Sequence, residues 1–159
     1  MSETRDERQN TKRRVGMKKI ARLAIHNKFE RHCAYCGEKI TYEEMQVDHV
    51  IPKRNFVNSI RNDKNGQEAK FIKVPTFLKH LNEDDVNHND NLFPACRSCN
   101  NRKSTLSLES FRSEIAKQID RLNKYSTAYR LAKRYNLLKE QIKPIIFYFE
   151  TLTPTSKGE

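Results

Sequence analysis

The sequence predicts an α+β protein in which helices near both ends flank a small core that contains short strands. Three observations lead to this prediction: amphipathic helical patterns near both ends, an apolar strand pattern around residue 48, and four cysteines in two pairs between the helices. A chain of 159 residues is long enough for one compact domain. We expect a disordered basic tail at residues 1–14 and a core with its N-terminal helix at residues 15–106. A C-terminal helical extension is expected at residues 107–150, and a flexible tail at residues 151–159.

The first predicted helix lies between Val15 and Phe29, where Ile20, Leu23 and Ala24 recur roughly at helical spacing. Lysines and arginines are interleaved with these apolar residues. We therefore expect an amphipathic helix with a basic outer face.

The central strand carries two polar residues, Asp48 and His49, inside the apolar run Val47–Pro52. A carboxylate in a dry interior is unfavourable unless a partner compensates it. Pro52 cannot donate a ladder hydrogen bond, and we expect it to close the strand. Adjacent residues on a regular strand point to opposite faces, so both side chains can serve one site only if the strand ends or bulges between them.

A long polar connection is expected at residues 53–90, with a short helix near Thr76. Two more helices are predicted after the last cysteine. Ser107 can cap the first, whose apolar stripe covers Leu108–Leu122. The second covers Ala128–Ile142, and Pro144 is expected to end or kink it. For the run Ile145–Phe149, periodicity does not decide between strand and helix. The aromatic residues of this run are expected to pack in the core rather than to stack on bases.

The charge of the chain is basic, with 31 Lys and Arg against 20 Asp and Glu and a net charge of +11. The excess lies in the flanks, because residues 1–31 carry 10 basic and 4 acidic groups and residues 102–143 carry 11 and 4. Such flanks suit a polyanion, since neutralised phosphates release counterions; a solvated basic surface is the alternative. No apolar run resembles a membrane span or a signal peptide, so we expect a soluble, cytoplasmic protein with no membrane partner.

The four cysteines form two Cys-x-x-Cys pairs, Cys33/Cys36 and Cys96/Cys99, with 59 residues between the pairs. Two such turns can present four thiolates to Zn²⁺, which leaves no position for a substrate, so the metal would be structural. Two disulfides, a redox motif and reduced core cysteines are the alternatives. Disulfides suit an intracellular chain poorly, and two pairs together disfavour a redox motif. Zinc would pin the strand near Asp48 to the segment that starts at Asn91.

Four sequence elements follow one another in a recognisable order. They are Cys33-x-x-Cys36-Gly37, Val47–Pro52, Asp90-Asn91-Leu92 and Cys96-x-x-Cys99-Asn100-x-x-Lys103. Together they resemble the HNH endonucleases of the ββα-metal, or His-Me finger, superfamily, in the zinc-knuckle form. The resemblance covers residues 30–104. The third family position is Asn100 instead of histidine, a variant that the family accepts, and the connection at residues 53–90 is longer than in compact members.

The resemblance implies a β-hairpin followed by a helix, which hold one divalent cation against the scissile phosphate. The expected partner is double-stranded DNA. The resemblance also implies that His49 is the general base, that Asp48 and Asn100 bind the cation, and that Asn91 stabilises the loop that orients His49. Lys103 would face a phosphate oxygen. Arg97 and Arg102 are further candidates for contacts with nucleic acid.

The residue types suit this chemistry independently of the resemblance. A neutral imidazole, with an ordinary pKa of about 6.5, can take a proton from water near neutral pH. A carboxylate and an amide carbonyl are oxygen ligands that suit Mg²⁺ or Mn²⁺. The cation would neutralise charge that grows on the phosphate and on the departing 3′ oxygen.

Each candidate also has a non-catalytic interpretation. Asp48 and His49 could form a strand-end turn, Asn91 a turn, Asn100 a cap, and the basic residues ordinary surface charge. The remaining histidines have no motif partner and are interpreted as surface or core residues: His26, His32, His80 and His88. The alternatives to an endonuclease are a non-catalytic zinc-knuckle module that binds nucleic acid and a nuclease subunit that is active only in a larger complex. A homodimer or a partner subunit is left open.

Overall fold

The structure is a computed structural model that describes residues 17–66 and 72–152. Helices surround a two-stranded sheet in these ranges, so the predicted α+β class is confirmed. The helices are α1 Lys19–Asn27, α2 Phe56–Lys64, α3 Arg97–Lys103, α4 Leu108–Ala116, α5 Gln118–Tyr125, α6 Thr127–Arg134 and α7 Tyr148–Leu152. The strands are β1 Gln46–His49 and β2 Leu92–Ala95. Short 3₁₀ turns lie at Lys28–Arg31, Thr76–Leu78, Asp85–Asn87 and Asn89–Asn91.

The predicted tail at residues 1–14 lies outside the described residues, as does most of the predicted tail at residues 151–159. Residues 151 and 152 belong to α7 instead of the tail. None of the helices in the described ranges is long and apolar enough to cross a bilayer.

The sheet brings together two segments that lie far apart in the sequence. β1 and β2 are antiparallel, with Asp48 opposite Phe93 and His49 opposite Leu92. α3 begins two residues after β2 ends and packs against β1. Cys96 caps α3, because its Sγ accepts a hydrogen bond from the backbone N–H of Cys99 at 3.4 Å. The local order is therefore strand, strand and helix, with residues 50–91 between the strands.

The C-terminal segment folds back onto the first cysteine pair. The backbone N–H groups of Tyr148 and Phe149 donate to the carbonyls of Tyr35 and Ala34, at 3.0 and 2.9 Å. Phe147 and Phe149 are buried in the aromatic core. The expectation that these aromatic residues pack is confirmed, and the run that periodicity left undecided is irregular up to α7.

The N-terminal helix differs in part from the predicted amphipathic pattern. α1 buries Ile25 and His26, whereas the predicted stripe residues Ile20 and Leu23 are 85% and 46% exposed. The His26 ring anchors the helix, since its Nε2 lies 2.9 Å from the carbonyl oxygen of Ile40. The face of α1 that is buried is therefore not the face that carries the predicted apolar stripe.

The long connection has more regular structure than the sequence predicts. α2 lies within it and buries Phe56 and Ile60. A single 3₁₀ turn at Thr76–Leu78 takes the place of the predicted short helix, and Leu81 beyond it is buried in the core.

The C-terminal helices are shorter than predicted. Ser107 caps α4, as expected, by accepting a hydrogen bond from the backbone N–H of Ser110 at 3.1 Å. The first stripe is divided at Lys117 into α4 and α5. The second stripe does not reach Ile142, because the chain turns at Asn136, which has a left-handed φ of 57°. This is a common way for a helix to end.

Candidate active site

The four cysteines converge on one point. Their Sγ atoms all lie within 4.8 Å of one another, and those of Cys36 and Cys96 are 3.8 Å apart. All four thiols are free, and the cluster joins one pair to the other. Sulfurs bound to a tetrahedral zinc ion at about 2.3 Å are separated by about 3.8 Å. This donor set therefore fits a metal ion such as zinc, whereas it does not fit two separate disulfides.

The thiol pKa values show why a cation suits this cluster. Hydrogen bonding from Cys99 lowers the pKa of Cys33 to about 5, although burial opposes this shift. Burial raises the pKa of Cys36 to about 11, and the thiol of Cys33 adds to the increase. One thiolate therefore makes further thiolates unfavourable. A bound cation would remove this conflict, because it compensates all four negative charges at once.

A second group of candidate residues lines an open concavity of about 590 Å³. Asp48 and His49 of β1 and Asn100 of α3 are among the residues that line it. The expectation that the strand ends or bulges between Asp48 and His49 is wrong: β1 pairs regularly through both residues and ends directly after His49, and both residues still line the concavity. Asp48 is buried and His49 is half-buried. Three of the predicted site residues thus border one space.

The carboxylate of Asp48 is compensated within the protein. Its Oδ2 accepts hydrogen bonds from the hydroxyl of Tyr35 and, at 2.9 Å, from the ammonium group of Lys103. Both partners are almost completely buried, and burial together with the Asp48 charge raises the pKa of Tyr35 well above its usual value. This network explains how a carboxylate can be accommodated in an apolar strand.

Lys103 has a different role from the predicted one. Its side chain is fully buried, and its Nζ also donates to the backbone carbonyl of His49 at 2.8 Å. The prediction that Lys103 faces a phosphate oxygen is therefore wrong in this structure. Burial lowers the pKa of Lys103, while the charge of Asp48 opposes that shift. The lysine ties α3 to the end of β1 instead of presenting charge to solvent.

His49 is held by a residue that the sequence analysis did not select. Its Nε2 lies 3.0 Å from Oδ1 of Asn87. Burial lowers the pKa of His49, and the charges of Lys53 and Lys103 lower it further against the opposing effects of Asn87 and Asp48. The neutral imidazole is therefore the favoured form at neutral pH.

Asn91 clamps the loop that follows His49. It is fully buried, and its Oδ1 accepts a hydrogen bond from the backbone N–H of Ile51 at 2.8 Å. Its Nδ2 donates to the carbonyls of Ile51 and Val86, at 3.2 and 2.9 Å. The Asn91 carbonyl also accepts from the N–H of Val50 at 2.9 Å. These bonds can support the His49 loop, while a contribution of Asn91 to catalysis stays a prediction.

The predicted arginine contacts lie outside this concavity. Arg97 lines a different hollow, beside Glu43 and Glu44. Arg102 is exposed on α3, and its Nη2 donates to Oε1 of Gln118 at 3.3 Å.

Among the described residues, the exposed cations that border the concavity are Lys53 and Arg54. The sequence analysis did not select them. A signal was available, because both follow Pro52, which directly ends the Asp48–His49 run.

Comparisons with family models, with curated proteins and with solved structures give no match for this chain. Any functional assignment therefore depends on the chemistry of the residues described above.

Proposed function

We propose that this protein is a metal-dependent endonuclease of the HNH type that hydrolyses phosphodiester bonds in DNA. One observation carries the proposal: the carboxylate of Asp48, the imidazole of His49 and the carboxamide of Asn100 line a single open concavity. Hydrolysis of a phosphodiester requires a base for the attacking water and compensation of the phosphate charge. The three residues can supply both.

His49 is the general base in this proposal. An amide oxygen only accepts hydrogen bonds, so the contact with Asn87 Oδ1 places the proton of a neutral His49 ring on Nε2. The lone pair then lies on Nδ1, which can take a proton from water. The lowered pKa of His49 keeps this nitrogen unprotonated at neutral pH. Asn87 and the backbone bond from Lys103 orient the base rather than react.

Asp48 and Asn100 would hold a divalent cation such as Mg²⁺ or Mn²⁺, which when bound supplies charge compensation for the phosphate. Both described contacts of the Asp48 side chain fall on Oδ2, which leaves Oδ1 for coordination. Lys53 and Arg54 border the same concavity and would contact phosphates of the DNA backbone.

The cysteine cluster has a structural role in this proposal. A zinc ion with four thiolate ligands has no open position for a substrate. It would instead join the segment before β1 to the start of α3, and so bring Asn100 next to Asp48.

Cleavage of supercoiled plasmid by the zinc-loaded protein tests the proposal. With Mg²⁺ or Mn²⁺, the unmodified protein is expected to nick or linearise the plasmid. His49→Ala is expected to lower the rate about 10²–10⁴-fold, the usual contribution of a general base. Asn100→Ala should also reduce cleavage, whereas Asn101→Ala, a neighbouring exposed amide on the same concavity, serves as the matched control. Equal cleavage by His49→Ala and the unmodified protein would reject the mechanism.

A non-catalytic module that binds nucleic acid is the second candidate. The observation that favours it is the ion pair with Lys103, which already compensates Asp48 without a metal. In that case the protein would bind DNA in a salt-dependent manner but would leave plasmid intact with every divalent cation tested. His49→Ala and Asn100→Ala would then leave the DNA affinity unchanged.

A further inference from the structure

A second group of side chains that could hold a metal ion lies on the loop that precedes β2. It consists of His80, His88 and Asp90, each of which offers one ligand atom within 4.8 Å of the others. Two imidazoles and one carboxylate form a donor set typical of zinc and of neighbouring transition metals. In the sequence, neither histidine has a motif partner. In the structure, turns in the chain bring them together.

Two distances in this group are close to those expected around one small ion. The Nε2 of His80 lies 3.0 Å from Oδ2 of Asp90, and the Nδ1 of His88 lies 3.7 Å from the same oxygen. Nitrogen and oxygen ligands at about 2.0–2.1 Å from a tetrahedral zinc ion are separated by about 3.3–3.4 Å. The observed separations lie on either side of that value, so small shifts of the exposed side chains would complete the geometry.

The Nδ1 atom of His88 carries the lone pair that a metal ligand needs. Its Nδ1 accepts a hydrogen bond from the backbone N–H of Asp90 at 3.2 Å, and an atom that accepts from an N–H group carries a lone pair. An ion would compete with this bond for that lone pair. All three side chains are at least partly exposed, so the ion can enter from solvent.

The position of the group gives it a structural consequence. His80 follows the 3₁₀ turn at Thr76–Leu78, while His88 and Asp90 lie between Asn87, which contacts His49, and Asn91, which clamps Ile51. An ion held by all three side chains would therefore fasten the loop that carries Asn87 and Asn91 to a separate, core-anchored turn.

We propose that His80, His88 and Asp90 form a second metal site, for Zn²⁺ or a similar transition-metal ion, with a position left open to water. The site is independent of the four cysteines, and it does not require the chain to be a nuclease. It differs from the Asp48 and Asn100 site, because imidazole ligands favour zinc-like ions over Mg²⁺.

Calorimetric titration of Zn²⁺ into protein that already holds one zinc ion at the cysteines tests this proposal. The unmodified protein is expected to show a Zn²⁺ binding event that His80→Ala and Asp90→Asn both lose, whether or not the Asp48 and Asn100 site also takes zinc. Asp84→Asn, which changes an exposed carboxylate outside the group, should retain it. Because the changed side chains lie at the surface, circular dichroism should show that all the variants fold.

Titration with Co²⁺ gives an independent spectroscopic measurement. Filling of the second site should add visible metal-centred absorption without the sulfur-to-metal charge-transfer bands of a thiolate site. The proposal is wrong if the unmodified protein binds no second ion, or if Asp90→Asn binds it as tightly as the unmodified protein. It is also wrong if Asp84→Asn loses the ion together with the other variants.

Discussion

Lys103 and Asp48 form a buried ion pair, 2.9 Å long, between α3 and β1, and Lys103 also bonds the carbonyl of the next residue, His49. The pair therefore connects the charge of the carboxylate with the position of the imidazole. Removal of one partner from a buried pair leaves an uncompensated charge, which is usually strongly destabilising.

Lys103→Met should accordingly lower the free energy of unfolding by roughly 3–5 kcal/mol. Urea unfolding of the zinc-loaded protein, followed by circular dichroism, measures the change. The double variant with Lys103→Met and Asp48→Asn should recover part of the loss, because no buried charge remains. A Lys103→Met protein as stable as the unmodified one would contradict a structural role for the pair.

Removal of zinc should unfold the region around the two cysteine pairs, since metal binding and folding are coupled in small sites of this kind. The thermal melt is expected to move to lower temperature after treatment with a strong chelator and to recover when Zn²⁺ is added back. Metal analysis should accompany each melt. If zinc is absent and the melt is unchanged, the cysteines do not have the structural role assigned to them.

Asn91→Ala should be destabilising because it removes the partner of two buried backbone groups of Ile51 and of the partly buried carbonyl of Val86. Each unsatisfied group costs about 1–3 kcal/mol, so a total of roughly 3 kcal/mol or more is expected. Asn89→Ala, at an exposed asparagine two residues earlier, is the matched control and should change stability by less than about 0.5 kcal/mol. Equal stabilities of the two variants would argue against the clamp.

The imidazole of His49 should titrate below its ordinary value of 6.5, because burial lowers the pKa of this residue. The unfolded chain then binds more protons than the folded protein between the two values. His49 therefore contributes less stability as pH falls through this window. Proton NMR of the ring measures the midpoint directly. Lys53→Gln removes a nearby positive charge and should raise the midpoint; a midpoint above 6.5 in the unmodified protein would contradict the assignment.

Arg112 connects α4 with the C-terminal segment through Glu150, at 2.6 Å, and lies over the ring of Phe147. Arg112→Ala should lower stability by roughly 2 kcal/mol, and Arg112→Lys should lose less because it keeps the charge.

Burial alone would raise the pKa of Glu150, but the bonds from Arg112 and from the N–H of Phe147 outweigh it and lower the pKa. The difference between Arg112→Ala and the unmodified protein should therefore shrink as pH falls below about 4.5. Unfolding curves at several pH values measure this difference in stability. A difference that persists in acid would contradict the role assigned to the ion pair.

The parts of the fold that depend on local signals are predictable from the sequence. The Ser107 cap and the start of α4 follow from a capping residue before an apolar stripe. The convergence of the cysteines follows from the geometry that two Cys-x-x-Cys turns can adopt around one ion. The end of α6 was missed although Asn136 is a residue type that accepts the left-handed conformation there.

The features that depend on distant partners could not be predicted in this way. Lysine is rarely buried, so its presence in α3 indicates a surface residue until Asp48 is placed beside it. The same holds for Asn87, whose role depends on a contact with His49 across 38 positions of the chain. His80 and His88 do not belong to a common helix or strand, and the intervening turns bring their ring centroids within 5.7 Å.

The 59 residues between Cys36 and Cys96 also impose an order on biosynthesis. At about 5–20 residues per second, the ribosome needs roughly 3–12 seconds to extend the chain from one cysteine pair to the other. During that interval the nascent polypeptide presents Cys33 and Cys36 as a half-formed chelate, together with an unpaired edge of β1. The group of Asp48, His49 and Asn100 is therefore completed only after the second half of the site has been translated.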